Sequence, residues 1–393
     1  MIVKSGICAA ALLFAVHGAA AQTPLKIGFV STFSGPVGQL GDEIHSGFRL
    51  AVEQLGGKLG GAAVEINVGD DQAKPDVARQ VVDKMVEQDK VDVLTGMLNS
   101  SVLLAIARPA LDANKIVISS VAAPSIMAGK QCHQNFFAAS PQNDESSEAM
   151  GQHLQSKGIK RVLLVASNYP AGRDKMAGFK RFFKGEVVAE LYPPFTQLDY
   201  AAEIAQIRST KPDAIFEFLP GGVGINFLKQ FNDSGLRSEV KLYTDFAGLD
   251  ETMIAAVGDS ALKTQTASFW TSTMKGEVNS KFVEGFEKKY GRLPSSYAAS
   301  GYDSALLLDA AIKSLGGNIS DKKALRKALA EAKFEATRGN FRFNTNQIPL
   351  ANFYLTTIDK DSKGRNVLAL GEQILSDHKD AYASQCAYSS NPN

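Results

Sequence analysis

The chain has 393 residues, enough for two domains with cores of their own, and its 45% hydrophobic and 21% charged content is that of an ordinary globular protein. Lys and Arg total 42 against 41 Asp and Glu, so no net charge recruits nucleic acid or an anionic membrane. Nucleic-acid binding is therefore not the first expectation.

The N-terminus carries Lys4, a short apolar run over 7–16, and Ala19-Ala20-Ala21 before Gln22. A basic start, a hydrophobic segment and an Ala-x-Ala site are the parts of a secretory signal peptide over 1–21, cleaved between Ala21 and Gln22. The run is too short to stay in a bilayer as an anchor, and Cys8 lies upstream of the cleavage point, where it cannot carry a lipid. A soluble protein working outside the cytoplasm is expected. In that oxidising compartment Cys132 and Cys386 invite one disulfide, tying the tail 377–393 back to the loop around Lys130. Two unrelated free thiols are the alternative.

After the leader, 25–30 reads as a strand, followed by a turn-rich loop over 31–41 with Phe33-Ser34-Gly35-Pro36 and Gly38, which holds off the next helix. A helix over 43–55, a strand over 64–68 and a helix opened by Pro75 come next, since proline at the first helical position forfeits no hydrogen bond. The stretch 91–112 follows, then a strand over 116–119. This β-α-β-α order implies a parallel sheet with helices on both faces. A second unit of the same pattern runs through 143–243, without a convincing sequence repeat. From Leu249 the chain is helix-rich, with one strand over 264–270, and it ends in strands near 339–343, 351–358 and 366–370.

The most informative stretch is 91–112. Val91 to Leu94 form a short apolar run of buried-strand type, Gly96 ends it, and Asn99, Ser100 and Ser101 precede an apolar helix. A strand-to-helix turn offers unpaired N–H groups and a positive dipole end to an anion, at the sheet edge where open α/β folds bind ligands. The plainer reading is a helix cap.

Enzyme signals are weak. The mature chain has only His45, His133, His153 and His378, no His-Glu-x-x-His and no cysteine pair at zinc spacing. No Gly-x-Ser-x-Gly elbow occurs, and Gly35, Gly38 and Gly41 miss the dinucleotide spacing. Gly221-Gly222-Val223-Gly224 lacks the Lys-Ser/Thr of a phosphate loop, and its glycines let the backbone approach something closely. Neither a metal nor a cofactor is expected. Other strand-to-helix turns could line the same cleft as Asn99 to Ser101: Val121, Ala122 and Ala123, then Tyr169, then Asp245 and Phe246. Tyr169 could stack on a ligand, and Asp245 could pair with a ligand ammonium or merely cap a helix.

The segments Ile27-Gly28-Phe29, Phe33-Ser34-Gly35-Pro36, Gly41-Asp42, Gly47, Ala51-Val52, Asp70-Asp71, Asp92-Val93-Leu94-Thr95-Gly96, Ser100-Ser101, Gly301-Tyr302-Asp303 and Arg338-Gly339 resemble, in order and over essentially the whole mature chain, the leucine/isoleucine/valine-binding type of periplasmic solute-binding protein. The resemblance implies an α/β protein of two doubly wound parallel-sheet lobes joined by three hinge crossings. The crossings are implied near 138–142, 245–249 and 340–344. One lobe would then hold 22–139 plus 249–339, and the other 140–248 plus 340–376.

By the same resemblance, Ser100 falls where amino-acid binders meet the ligand carboxylate, and Val121, Ala122 and Ala123 fall at a second contact turn. Ala123 stands in place of a threonine, Pro220 in place of a tyrosine, and the acid for a ligand ammonium aligns near Phe246, one place from Asp245. The carboxylate half of the site is thus kept and the ammonium half altered. A buried ammonium without acceptors costs several kcal/mol, so the altered half disfavours amino acids. Some members of the family this chain resembles bind benzoate- or cinnamate-like acids, and the resemblance implies a small hydrophobic or aromatic carboxylate of that type. Branched-chain amino acids are the alternative, and a ligand-sensing module a further one. The implied partner is an ABC permease, met by a periplasmic, monomeric, non-enzymatic binding protein.

Overall fold

The computed structural model describes residues 24–388, so the expected signal peptide, with Cys8, lies outside the described residues. The first sheet takes β1 (Leu25–Ser31), β2 (Lys58–Leu59), β3 (Ala62–Asp70), β4 (Val93–Gly96), β5 (Ile116–Ser119) and β6 (Phe136–Ala138), in the order β2-β3-β1-β4-β5-β6. All its pairings are parallel except the short β2–β3 hairpin. The second sheet takes β7 (Arg161–Ala166), β8 (Glu186–Leu191), β9 (Ala214–Phe218), β10 (Lys241–Asp245) and β11 (Gln265–Ser268), all parallel. A minor ribbon, β12 (Glu335–Ala336) with β13 (Gly339–Asn340), precedes the antiparallel edge of the second sheet, β14 (Ala351–Lys360) and β15 (Asn366–His378).

Period-two alternation gives each sheet two buried faces. Ile27 and Phe29 point to one side of β1, where helices α1 (Gly38–Gln54) and, later in the chain, the helix over Ser296–Ser314 pack. Val30, Leu94 and Val117 point to the other, under α2 (Pro75–Glu87) and α3 (Ser100–Asp112). The short α4 (Ser125–Ala128) also belongs to the first lobe. In the second lobe α5 (Glu145–Ser156) and α6 (Pro170–Phe182) cover the face of Leu164 and Phe216. The opposite face, with Leu163 and Ile215, lies under α7 (Ala201–Thr210), α8 (Gly222–Asp233) and α9 (Glu251–Val257). The last helices are α10 (Glu277–Tyr290), α11 (Ser296–Ser314) and α12 (Lys322–Ala330).

Three expectations are corrected. The glycine-rich loop does not hold off the first helix, which begins at Gly38. A Cβ on Gly41 would lie 1.9 Å from the Thr32 carbonyl oxygen, so glycine serves to seat the helix against the strand end instead of delaying it. The second lobe does not end near 248, because β11 pairs with β10 and β14 and α9 packs against α8 and β15. The chain returns to the first lobe only after Phe269. The third return also comes late: Gln347 accepts a hydrogen bond from Ala138 N and Asn346 donates to the Ala128 carbonyl, so 343–349 still lies on the first lobe.

Arg338 clamps the first two connections, at Ala139 and beside Phe269. Its guanidinium pairs with Asp303 at 2.9 Å, donates to the Ala139 carbonyl at 2.7 Å, and faces the rings of Phe269 and Phe341 at 5.4 and 5.2 Å. A fourth tie is covalent. The chain leaves β15 on the second lobe, docks Tyr382 on Asp144 and Arg181, and ends in a disulfide from Cys386 to Cys132 of the first lobe. Replacing both cysteines by serine is expected to cost about 2–5 kcal/mol of unfolding free energy. Denaturant titration of oxidised wild type against the variant checks it; an unchanged midpoint would contradict the bridge.

Candidate functional site

A cleft of about 580 Å3, its open mouth included, lies between the lobes where the carboxyl ends of both sheets face each other. First-lobe walls come from Val37, Leu40, Leu98, Asn99, Ser100, Val121 and Ala122, and second-lobe walls from Asn143, Tyr169, Lys175, Phe195, Phe218 and Phe246, among others. The lobes meet around it. Gly221 (φ 63°) and Gly222 approach the Pro36 carbonyl so closely that a Cβ on Gly222 would sit 2.9 Å from its oxygen. This is the close approach that the glycines of 221–224 imply.

Of the residues singled out by sequence, Asn99, Ser100, Val121, Ala122, Tyr169 and Phe246 line the cleft, whereas Ser101, Ala123 and Asp245 do not. Both readings of the 99–101 turn are realised on different atoms. Asn99 Oδ1 caps α3, accepting from Ser101 N at 2.8 Å and Val102 N at 3.3 Å, which uses the Ser101 amide. The N–H groups of Ser100 and Val121 have no partner among the described residues and stay available at the positive end of the helix. Ala123 is spent on the protein: its N–H bonds Asn143 Oδ1 at 3.2 Å and its carbonyl accepts from Asn143 N at 3.1 Å.

Asn143, where the second unit read from the sequence begins, is the hub. Its Nδ2 donates to Ser100 Oγ at 3.2 Å and to Asp174 Oδ2 at 3.1 Å, and its carbonyl accepts from Lys175 Nζ at 3.0 Å. Ser100 Oγ, already an acceptor, keeps its own O–H free to donate. Asp174 reaches from α6 to the first lobe, taking the Ser125 N–H at 2.9 Å and its hydroxyl at 2.6 Å. Burial, with the Asp144 carboxylate nearby, pushes Asp174 up to about 6.

Asp245 is fully buried behind the cleft wall. Lys175 Nζ lies 3.0 Å from each of its oxygens, and Ser146 Oγ donates to it at 2.6 Å. The ammonium partner expected for Asp245 is thus supplied by the protein. Lys175 was missed, although a signal existed: Ala171, Lys175 and Phe179 are spaced by four, which puts the lysine on the buried face of its helix.

The rest of the wall is aromatic. Tyr169 packs on Phe195 with centroids 4.8 Å apart and stacks over Phe218 at 6.0 Å, Phe246 meets Phe269 edge-on at 5.0 Å, and Tyr297 and Phe353 complete the lining. Burial raises the Tyr169 phenol, which stays a neutral donor. Among the described residues no group of three or more His, Cys, Asp and Glu could hold a metal, and no helix is long and apolar enough to cross a membrane.

A family model for periplasmic binding proteins matches residues 24–365. A leucine/isoleucine/valine-binding protein homologue of Brucella melitensis is 26% identical over 92% of this chain and 94% of its own. A solute-binding protein of an ABC transporter from R. palustris, solved in complex with benzoate, is 30% identical, covers 93% of this chain and all of its own, and superposes with a TM-score of 0.86. A second, from Rhodopseudomonas palustris BisB5 with 3,4-dihydroxybenzoic acid, is 29% identical over 91% of this chain and 99% of its own, with a TM-score of 0.86. With its two α/β lobes closed on an interlobe cleft, the chain belongs to the periplasmic binding proteins that serve ABC transporters as solute-binding components, within the leucine/isoleucine/valine-binding type.

Proposed function

We propose that this protein captures a small aromatic carboxylate in the periplasm and delivers it to an ABC permease for uptake, without chemical turnover. One observation carries the ligand class: the cleft is polar at one end and aromatic along the rest. Ser100 Oγ–H and the N–H groups of Ser100 and Val121 form the polar end, and six rings, from Tyr169, Phe195, Phe218, Phe246, Tyr297 and Phe353, line the remainder. A carboxylate is satisfied by neutral donors at a helix N-terminus, and a flat ring gains most from aromatic walls. Two solved relatives, one in complex with benzoate and one with 3,4-dihydroxybenzoic acid, support the same ligand class.

Ligand docks first on the Ser100 side. The second lobe then closes, bringing Tyr169 and Phe246 over the ring and Asp174 onto Ser125. Closure follows only because ligand binds the closed form more tightly than the open one. Excluding water strengthens each donor–carboxylate bond. The closed protein is the form the permease would recognise.

A thermal-shift panel tests the ligand class. Benzoate and hydroxybenzoates at about a hundredfold their dissociation constants should add about 2.7 kcal/mol of stability, and leucine, isoleucine and valine none. Stabilisation by the branched-chain amino acids alone would hand the reading to amino-acid uptake.

Asp174 gives closure a pH dependence. Its closed-form value of about 6 lies above the ordinary 3.8, so closing takes up a proton. The contribution is complete below the ordinary value and is lost as pH rises through 6. Between about pH 5.5 and about pH 7.5, benzoate affinity should fall roughly fourfold in the wild type and stay level in Asp174→Asn. Titration calorimetry at the two pH values decides; an equal slope in both proteins would contradict the assignment.

A further inference from the structure

We infer that Lys175 sets the specificity of the cleft: its ammonium occupies, against Asp245, the place that a ligand's own ammonium would need, so carboxylates without an amino group enter and amino acids do not. The inference rests on the proposed capture of a carboxylate and deepens it by naming the residue that excludes the zwitterion.

The geometry leaves no vacancy at Asp245. One oxygen takes the Ala247 N–H at 3.1 Å, the other takes Ser146 Oγ at 2.6 Å and the more distant Ser147 Oγ, and both lie 3.0 Å from Lys175 Nζ. Lys175 is equally spent. Its three N–H bonds go to the Asn143 carbonyl at 3.0 Å, Ser146 Oγ at 2.9 Å and Asp245. An ammonium has three donors and no more. Lys175 therefore has none left for a ligand carboxylate, though its side chain lines the cleft.

The cation is also held from the sides. Nζ lies 5.0 Å from the ring centroids of both Phe218 and Phe246, within reach of their negative faces. The same two rings form part of the ligand wall. Expelling Lys175 to admit a ligand ammonium would break this cage and leave two buried charges to be matched anew. With the pair intact, the wall behind the ligand is neutral, and a ligand carboxylate meets neither repulsion nor a competing cation.

The consequence is asymmetric. Removing Lys175 alone uncovers a buried carboxylate, which repels benzoate and attracts any cation that fits. Removing both charges restores a neutral wall. The test measures benzoate and L-leucine binding, by titration calorimetry, to wild type, Lys175→Ala and the neutral double variant Lys175→Met/Asp245→Asn. Lys175→Ala should lose benzoate affinity by at least about tenfold and recover it when millimolar propylammonium fills the hole, and the double variant should come within about threefold of wild type. Folding of each protein is checked by its melting curve, and the double variant carries the test should Lys175→Ala not fold.

Benzoate binding unchanged in Lys175→Ala overturns the inference. So does a folded double variant that binds as weakly as the single one, since Lys175 would then bond the ligand directly. Failure of wild type to bind any aromatic acid would instead strike the proposed function. In that event leucine binding gained by Lys175→Ala over wild type would still support the role of Lys175, and no gain would sink it.

Discussion

Asn143 holds the site together. It sits just past the first crossing between the lobes, and each of its polar atoms is used: two on Ala123, one shared by Ser100 and Asp174, and one on Lys175. Two of those partners belong to the first lobe and two to the second, so a single residue, through its backbone and its side-chain amide, fixes the position of both walls. A buried polar group left unpaired costs more than a satisfied one contributes. The network is therefore close to all-or-none, its bonds made or broken together.

The rest of the cleft follows from what this hub leaves unused. Bonds to the Ala123 backbone and the Asp245 carboxylate are already complete within the protein, and among the described residues the backbone donors left free at the α3 turn are those of Ser100 and Val121, with the Tyr169 hydroxyl on the opposite wall. A ligand carboxylate is best met at the α3 end. Elsewhere its contact is with rings, whose stacking on one another, Tyr169 on Phe195 and Phe218 and Phe246 on Phe269, keeps the wall rigid before ligand arrives. A preformed wall lowers the ordering cost of binding. The hinge is built to the same end, with Arg338 clamped to the first two connections and the tail bridging the lobes through Cys132 and Cys386.

Much of the fold was legible because strand and helix periods are local. Ile116–Ser119 falls where its apolar run ends, and Pro75 opens its helix as its missing N–H dictates. What failed depended on tertiary contact. Gly38 and Gly41 read as breakers, yet they admit a helix against Thr32 and Phe33; β11 read as the first lobe's, yet register with Tyr243 to Asp245 keeps it in the second. The site divided in the same way. Ser100, Tyr169 and Phe246 are marked by their place at strand ends. Asn143 and Lys175 are distant in sequence from what they touch, and only the spacing Ala171, Lys175, Phe179 hinted that a lysine faced inward. Asp245 read as a partner for a ligand ammonium or as a helix cap, and it is neither: it lies outside the cleft, paired with Lys175 70 residues away in the same chain.

The account reduces to an orientation: carboxylate on the turn that starts α3, ring against the second lobe. A crystal structure of the protein grown with benzoate tests it most directly. The account predicts density for a carboxylate within hydrogen-bond reach of Ser100 Oγ and the Val121 N–H, with the ring between Tyr169 and Phe246 and Lys175 still on Asp245. A carboxylate seated on Lys175 with the ring toward Ser100, or a cleft left empty while benzoate binds elsewhere, would contradict it.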